Sequence, residues 1–185
     1  IIVASTINYL CLNNVDVRKH WKKTAFIVGI FLSTRLATAI PFFIYLFPYY
    51  RNFSRRQQIM FPLYIICTFM ITFVPFMFWN GEMLFFFQYN PFILQTRQGS
   101  MTIVLLLIPI ITYLALSWKN DFRQLMFHIS LAMIVLVVVT FTYNMYTTNT
   151  WCELFQSRYD ITYLDMSLSF LLTWLSTYSL PCSPK

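Results

Sequence analysis

The chain has 185 residues, of which 58% are hydrophobic, 20% aromatic and only 10% charged, and its net charge is +7. A soluble domain carries about 25% charged residues, so the composition argues against an ordinary soluble fold and for helices in a bilayer. The positive charge does not point to nucleic acid, because Lys and Arg gather in short loops between apolar segments, where they report topology, rather than along a stripe on a soluble surface.

Residues 1–12 read as the inner end of a helix whose start is missing. No signal peptide with a basic n-region is visible. The whole of 1–185 is therefore expected to be one transmembrane helical domain, a fragment lacking its N-terminal half. Residues 13–23, NNVDVRKHWKK, form a basic loop with Trp21 at the interface. The stretch 24–47, TAFIVGIFLSTRLATAIPFFIYLF, is apolar and long enough to cross a bilayer once, yet it carries Arg35 at its midpoint and Pro41 beyond. A second basic loop, 48–58, holds Arg51, Arg55 and Arg56. Residues 59–79 match a bilayer of about 20 residues, and neighbouring helices can accommodate Pro62 and Pro75. Residues 80–100 mix aromatics with Glu82, Gln88, Arg97 and Gln98, and Glu82 to Tyr89 fits a short helix lying in the interface. A short span, 101–117, leads to a third basic loop, WKNDFRQ at 118–124. Residues 125–143 return outward to a polar loop, 144–161, with Glu153, Arg158, Tyr159 and Asp160. A last apolar segment, 162–180, contains Asp165 near its outer end.

The positive-inside rule puts loops 13–23, 48–58 and 118–124 in the cytoplasm and loops 80–100 and 144–161 outside. Four segments then alternate correctly, and only 24–47 breaks the pattern if it is a single span. A hairpin of two half-helices turning near Arg35 restores it, each arm rising about 17 Å at 1.5 Å per residue. The competing reading is one kinked helix with a basic loop outside. The expected fold is all-α: a polytopic integral membrane protein with about four full spans plus a half-membrane helical hairpin at 24–47.

Arg35 is the first candidate site residue, because a charge inside an apolar segment is costly and is placed there for an anion or for an ion pair. Arg97 and Gln98 lie at the outer end of a span, at the depth of a lipid phosphate, where a snorkelling anchor also belongs. Glu82 reads as a partner for Arg97, a sugar contact or a solvated carboxylate. Arg158, Tyr159 and Asp160 form a polar triplet that suits sugar binding or a local ion pair. Cys11, Cys67, Cys152 and Cys182 show no CxxC or Cys/His cluster, so no metal ligands are assigned. His20 and His128 stand alone. Asn52-Phe53-Ser54 matches the glycosylation pattern, but the topology places it in the cytoplasm.

Four stretches carry a family resemblance: WKKTAFIVGIFLSTRLATAIPFFIYLF, VPFMFW with the outer loop after it, WKNDFRQ, and SRYDITYLDMSLSFLL. On these the chain resembles the C-terminal half of polytopic glycosyltransferases of the GT-C superfamily. The resemblance implies sugar transfer from a polyprenyl-phosphate donor to an acceptor on the outer or luminal face. It implies donor phosphate contacts from Arg35, which stands where the family often has Lys, and from Arg97 and Gln98. Sugar or acceptor contacts would come from Glu82, Arg158, Tyr159 and Asp160. The family's catalytic acid lies in a first outer loop to which nothing here corresponds, so a base is expected upstream and none is assigned. The expected partners are membrane lipid, the donor, and a partner chain supplying the missing helices; a divalent cation is the one cofactor left open. A non-enzymatic subunit of a larger membrane complex, or part of a transporter with a discontinuous helix, are the alternatives.

Overall fold

A computed structural model describes residues 2–13, 15–34, 38–75, 78, 101–118, 121–148 and 162–179. Among them the chain is all helical, without a strand. The helices are α1 (Ile2–Leu12), α2 (Trp21–Thr34), α3 (Ala39–Arg51), α4 (Arg55–Ile71), α5 (Met101–Ser117), α6 (Phe122–Thr148) and α7 (Thr162–Ser179).

The 24–47 stretch is two helices rather than one. The last turn of α2 has neither a basic residue nor a glycine cap. Its own hydroxyls supply the bonds instead: Ser33 Oγ donates to the Ile30 carbonyl and Thr34 Oγ1 to that of Phe31, each at 2.7 Å. Such local bonds compete with continuation of a helix. Pro41 then falls in the first turn of α3, where the N–H it lacks would have no intrahelical partner. At the other end of α3 only Asn52–Ser54 separate it from α4. There Ser54 and Gln57 form a capping box, the Ser54 hydroxyl accepting from the Gln57 N–H and the Gln57 side chain accepting from the Ser54 N–H. This cap explains why α4 starts at Arg55, inside the basic loop, and not at residue 59.

Cross-helix contacts fix the directions. Helices α6 and α7 are antiparallel: Arg123 Nη2 donates to the Thr177 carbonyl at 2.9 Å, Phe127 meets Trp174 at 5.2 Å, and Ser130 and Ser167 exchange hydrogen bonds at 3.1–3.2 Å. Helix α5 runs against α6, with Ser117 and the Leu114 carbonyl both at His128 Nδ1. Trp118, just past α5, donates its Nε1–H to the Ile44 carbonyl at 3.1 Å and lies beside Tyr45 and Tyr49. The Tyr49 hydroxyl in turn lies within electrostatic reach of Cys11, Asp16 and Arg18; burial raises its pKa, Cys11 and Asp16 add to the rise, and Arg18 opposes it. So the loop before α2, the turn after α3 and the start of α6 meet at one end of the bundle. Helix α2 leaves that end and α3 returns to it.

Helix α2 packs on α4 through Gly29. A Cβ built there would lie 2.6 Å from Thr68 Cβ and 2.9 Å from the Ile65 carbonyl oxygen. Helix α6 buries Leu125, Met126, Ile129, Ala132 and Met133, a stripe at helical spacing, yet Phe127, Leu131 and Val138 on its other side are exposed. On α4 the exposed residues Ile59, Leu63, Ile66 and Met70 recur every three or four positions. Phe122–Val139 is long and apolar enough to cross a membrane, the one such helical stretch of 18 residues among the described residues.

Replacing Gly29 by Ala forces α2 away from α4 and lowers stability by about 1–3 kcal/mol; thermal unfolding of the purified protein in detergent measures it, and an unchanged midpoint contradicts the packing. In a cysteine-free background, Lys19→Cys and Asn52→Cys are expected to react with an impermeant thiol reagent from the same side of sealed vesicles. Labelling from opposite sides would make α2 and α3 a single crossing.

Candidate functional site

The break between α2 and α3 opens onto a cleft of about 1020 Å³. Phe31 and Thr34 reach it from the end of α2, and Thr38 from the entry to α3. Helix α1 contributes Ser5 and Asn8 beside Ile2, Val3 and Ala4, and α7 contributes Asp165, Ser169 and Thr173 with Met166, Leu168 and Leu172. Thr38 is 2% exposed. Asp165 stands twelve residues, about 18 Å along the helix, from Thr177, which Arg123 holds at the basic end. The cleft therefore lies toward the end of the bundle opposite the basic loops.

The lining is half apolar, and its polar half consists of hydroxyls, the Asn8 amide and the Asp165 carboxylate. Ser169 Oγ donates to the Asp165 carbonyl at 2.9 Å and Thr173 Oγ1 to the Ser169 carbonyl at 2.8 Å. Their protons are committed within the helix, so what these side chains offer a ligand is oxygen lone pairs, suited to accept from its hydroxyls. Asp165 is exposed in the first turn of α7, where the helix dipole favours a carboxylate. A second, smaller groove of about 280 Å³ lies on another flank of the hairpin, between α2, α3 and α4. Leu32, Phe43, Phe47, Phe61 and Ile65 make it apolar.

Arg35, Glu82, Arg97, Gln98, Arg158, Tyr159 and Asp160 all lie outside the described residues, as does the interfacial helix expected at Glu82 to Tyr89. Arg35 follows Thr34 in the chain, and Thr34 and Thr38 on either side of it both line the cleft. His128 accepts or donates within the α5–α6 contact, a packing role. Among the described residues no three His, Cys, Asp or Glu side chains sit together as a cation site would need.

The sequence places Asp165 near the outer end of its segment and does not single out Asn8, Ser169 or Thr173. The signal was present: Asp165, Ser169 and Thr173 recur every fourth residue, which draws a polar stripe down one face of an apolar helix. Compared with known proteins, the chain matches no family model, no curated protein and no solved structure.

Asn8→Cys and Ser169→Cys are expected to react with an impermeant thiol reagent from the side opposite Lys19→Cys. Ser167→Cys, buried against Ser130, is expected to stay unmodified. Equal reactivity of positions 167 and 169 would mean that no cleft runs along this face of α7.

Proposed function

We propose that the chain is part of a multi-pass membrane glycosyltransferase that moves a sugar from a polyprenyl-phosphate donor to an acceptor on the non-cytoplasmic face. In this reading α4 to α7 are full spans, α2 and α3 are the arms of a half-membrane hairpin, and loops 13–23, 48–58 and 118–124 are cytoplasmic. The exposed apolar faces of α4 and α6 support a lipid surround. The lengths of α5 and α7, 17 and 18 residues, correspond to about 26 Å, close to a hydrocarbon core of about 30 Å.

One observation carries the functional part: a cleft of ligand size at a helix break, whose polar residues are mainly hydroxyls and a carboxylate beside an apolar half, on the side away from the basic loops. Sugar hydroxyls donate to acceptor oxygens of this kind, and the apolar residues suit the C–H faces of a sugar. In the transfer, the acceptor hydroxyl forms a bond to the anomeric carbon as the bond from that carbon to the phosphate oxygen breaks. The hydroxyl proton passes to a carboxylate base, and polyprenyl phosphate leaves as an anion. Arg35, joined to the cleft wall through Thr34, takes the role of holding that phosphate, which its planar fork suits. Arg97 and Gln98 would assist it, and Glu82, Arg158, Tyr159 and Asp160 would contact sugar or acceptor. Asp165 is the described carboxylate placed to bind sugar hydroxyls or to orient the acceptor. The apolar groove beside the hairpin suits an isoprenoid chain. A broken helical element is equally what a midplane transport site requires, so the test needs a chemical readout.

Membranes containing the protein are expected to release polyprenyl phosphate from one member of a panel of polyprenyl-phosphate hexoses. Arg35→Ala reduces that release by on the order of 100-fold or more, the scale of losing one preorganised charge contact, while insertion is unchanged. Asp165→Asn has a smaller effect, chiefly on KM. Release by Arg35→Ala at the parental rate removes Arg35 from the site. Uptake of a labelled sugar into vesicles without cleavage of the donor favours the transporter.

A further inference from the structure

Two helices of the bundle begin with a pair of cations. Lys22 and Lys23 stand in the first turn of α2, and Arg55 and Arg56 open α4, with no acidic residue in either turn. A helix N-terminus carries the positive end of the macrodipole, so cations there are locally unfavourable. The first turns of α2 and α4 thus hold charges that their own helices do not want. The same end of the bundle adds Arg18, Lys19 and Arg51, and all seven side chains are exposed.

The described carboxylates at this end do not neutralise them. Asp16 Oδ1 accepts from the backbone N–H groups of Arg18, at 2.9 Å, and Lys19, at 3.4 Å. Asp121 Oδ1 accepts from the Arg123 N–H at 2.9 Å. Both act as turn caps. Aromatics flank one of these cations: Lys22 Nζ is 5.7 Å from the Trp21 ring centre and 5.8 Å from that of Tyr64, and the two rings meet edge to face at 5.3 Å.

We infer that these cations form a collar that binds the headgroups of anionic phospholipids around the cytoplasmic end of the bundle. The phosphate diester of such a lipid offers the negative charge the collar lacks, and the adjoining apolar faces of α4 receive its chains. The collar draws α2 and α4 to one surface, so lipid bound across them clamps the hairpin to its neighbour. This inference rests on the bundle lying in a membrane and is independent of any transferase activity.

The test is the apparent unfolding midpoint of the full chain in vesicles of phosphatidylcholine alone and with equimolar phosphatidylglycerol. Phosphatidylglycerol is expected to raise the midpoint by roughly 5–10 °C, from the attraction of several surface cations in a chain of this size. High salt removes most of that rise, and the triple variant Arg51→Gln/Arg55→Gln/Arg56→Gln, which takes away three of the seven cations, removes a little under half of it. In neutral lipid the variant unfolds no earlier than the parent, because Arg55 and Arg56 leave a helix N-terminus that disfavours them; Lys22→Gln/Lys23→Gln is the parallel check on α2. Equal midpoints in the two lipids, or a rise that survives both variants, overturns the collar. A rise produced by inorganic phosphate in phosphatidylcholine vesicles also overturns it, in favour of a free-anion site. Failure to incorporate into either vesicle overturns the membrane reading and the collar together, whereas absence of sugar transfer bears on neither.

Discussion

A helix end leaves backbone N–H and C=O groups without intrahelical partners, and the 24–47 stretch has two such ends close together in sequence, at Thr34 and Ala39. The α2 end meets the demand with Ser33 and Thr34, whose hydroxyls bond carbonyls of the preceding turn. The α3 start meets it in part by having Pro41 where an N–H would lack an intrahelical partner. The cleft beside the turn has a matching cause. Polar backbone and side chains at a helix break need a polar surround, and the hydroxyl stripe of α7 and Ser5 and Asn8 of α1 supply one. The break and the cleft are thus two consequences of a single constraint.

The helices hold together by close approach and by interhelical hydrogen bonds as well as by apolar burial. Gly29 lets the backbone of α2 reach Thr68 and the Ile65 carbonyl of α4, and Ser130 and Ser167 bond each other across α6 and α7. Two longer reaches close the basic end: Trp118 to the Ile44 carbonyl and Arg123 to that of Thr177. Each is a side-chain donor meeting a backbone carbonyl of another helix, at the middle of α3 and near the C-terminal end of α7.

Much of this was legible in the sequence because charge and hydropathy are written along the chain. Loop charges favoured a 24–47 stretch that turns back over a single kinked span, and the stretch holds two helices, α2 ending at Thr34 and α3 starting at Ala39. Helix ends were less legible. Nothing in hydropathy marks the start of α4 at Arg55, which depends on a bond between Ser54 and Gln57, and α6 runs from Phe122 to Thr148, well beyond its apolar centre at 125–143. The cleft was legible only in part. Loop residues drew attention as candidates because polar groups in outer loops are conspicuous, whereas Asp165, Ser169 and Thr173 sit in a segment that averages as apolar. Only the period of four separates them from the leucines between, and only the fold sets them opposite Asn8 and Thr34.

The bundle is consequently polarised along its axis. One end gathers cations from three loops that are far apart in sequence, and the carboxylates among them are engaged with backbone. The other end opens a cleft whose one described carboxylate, Asp165, sits where a helix dipole steadies its charge. The two arms of the 24–47 stretch connect the two, since α2 runs from the cationic end and stops at the cleft.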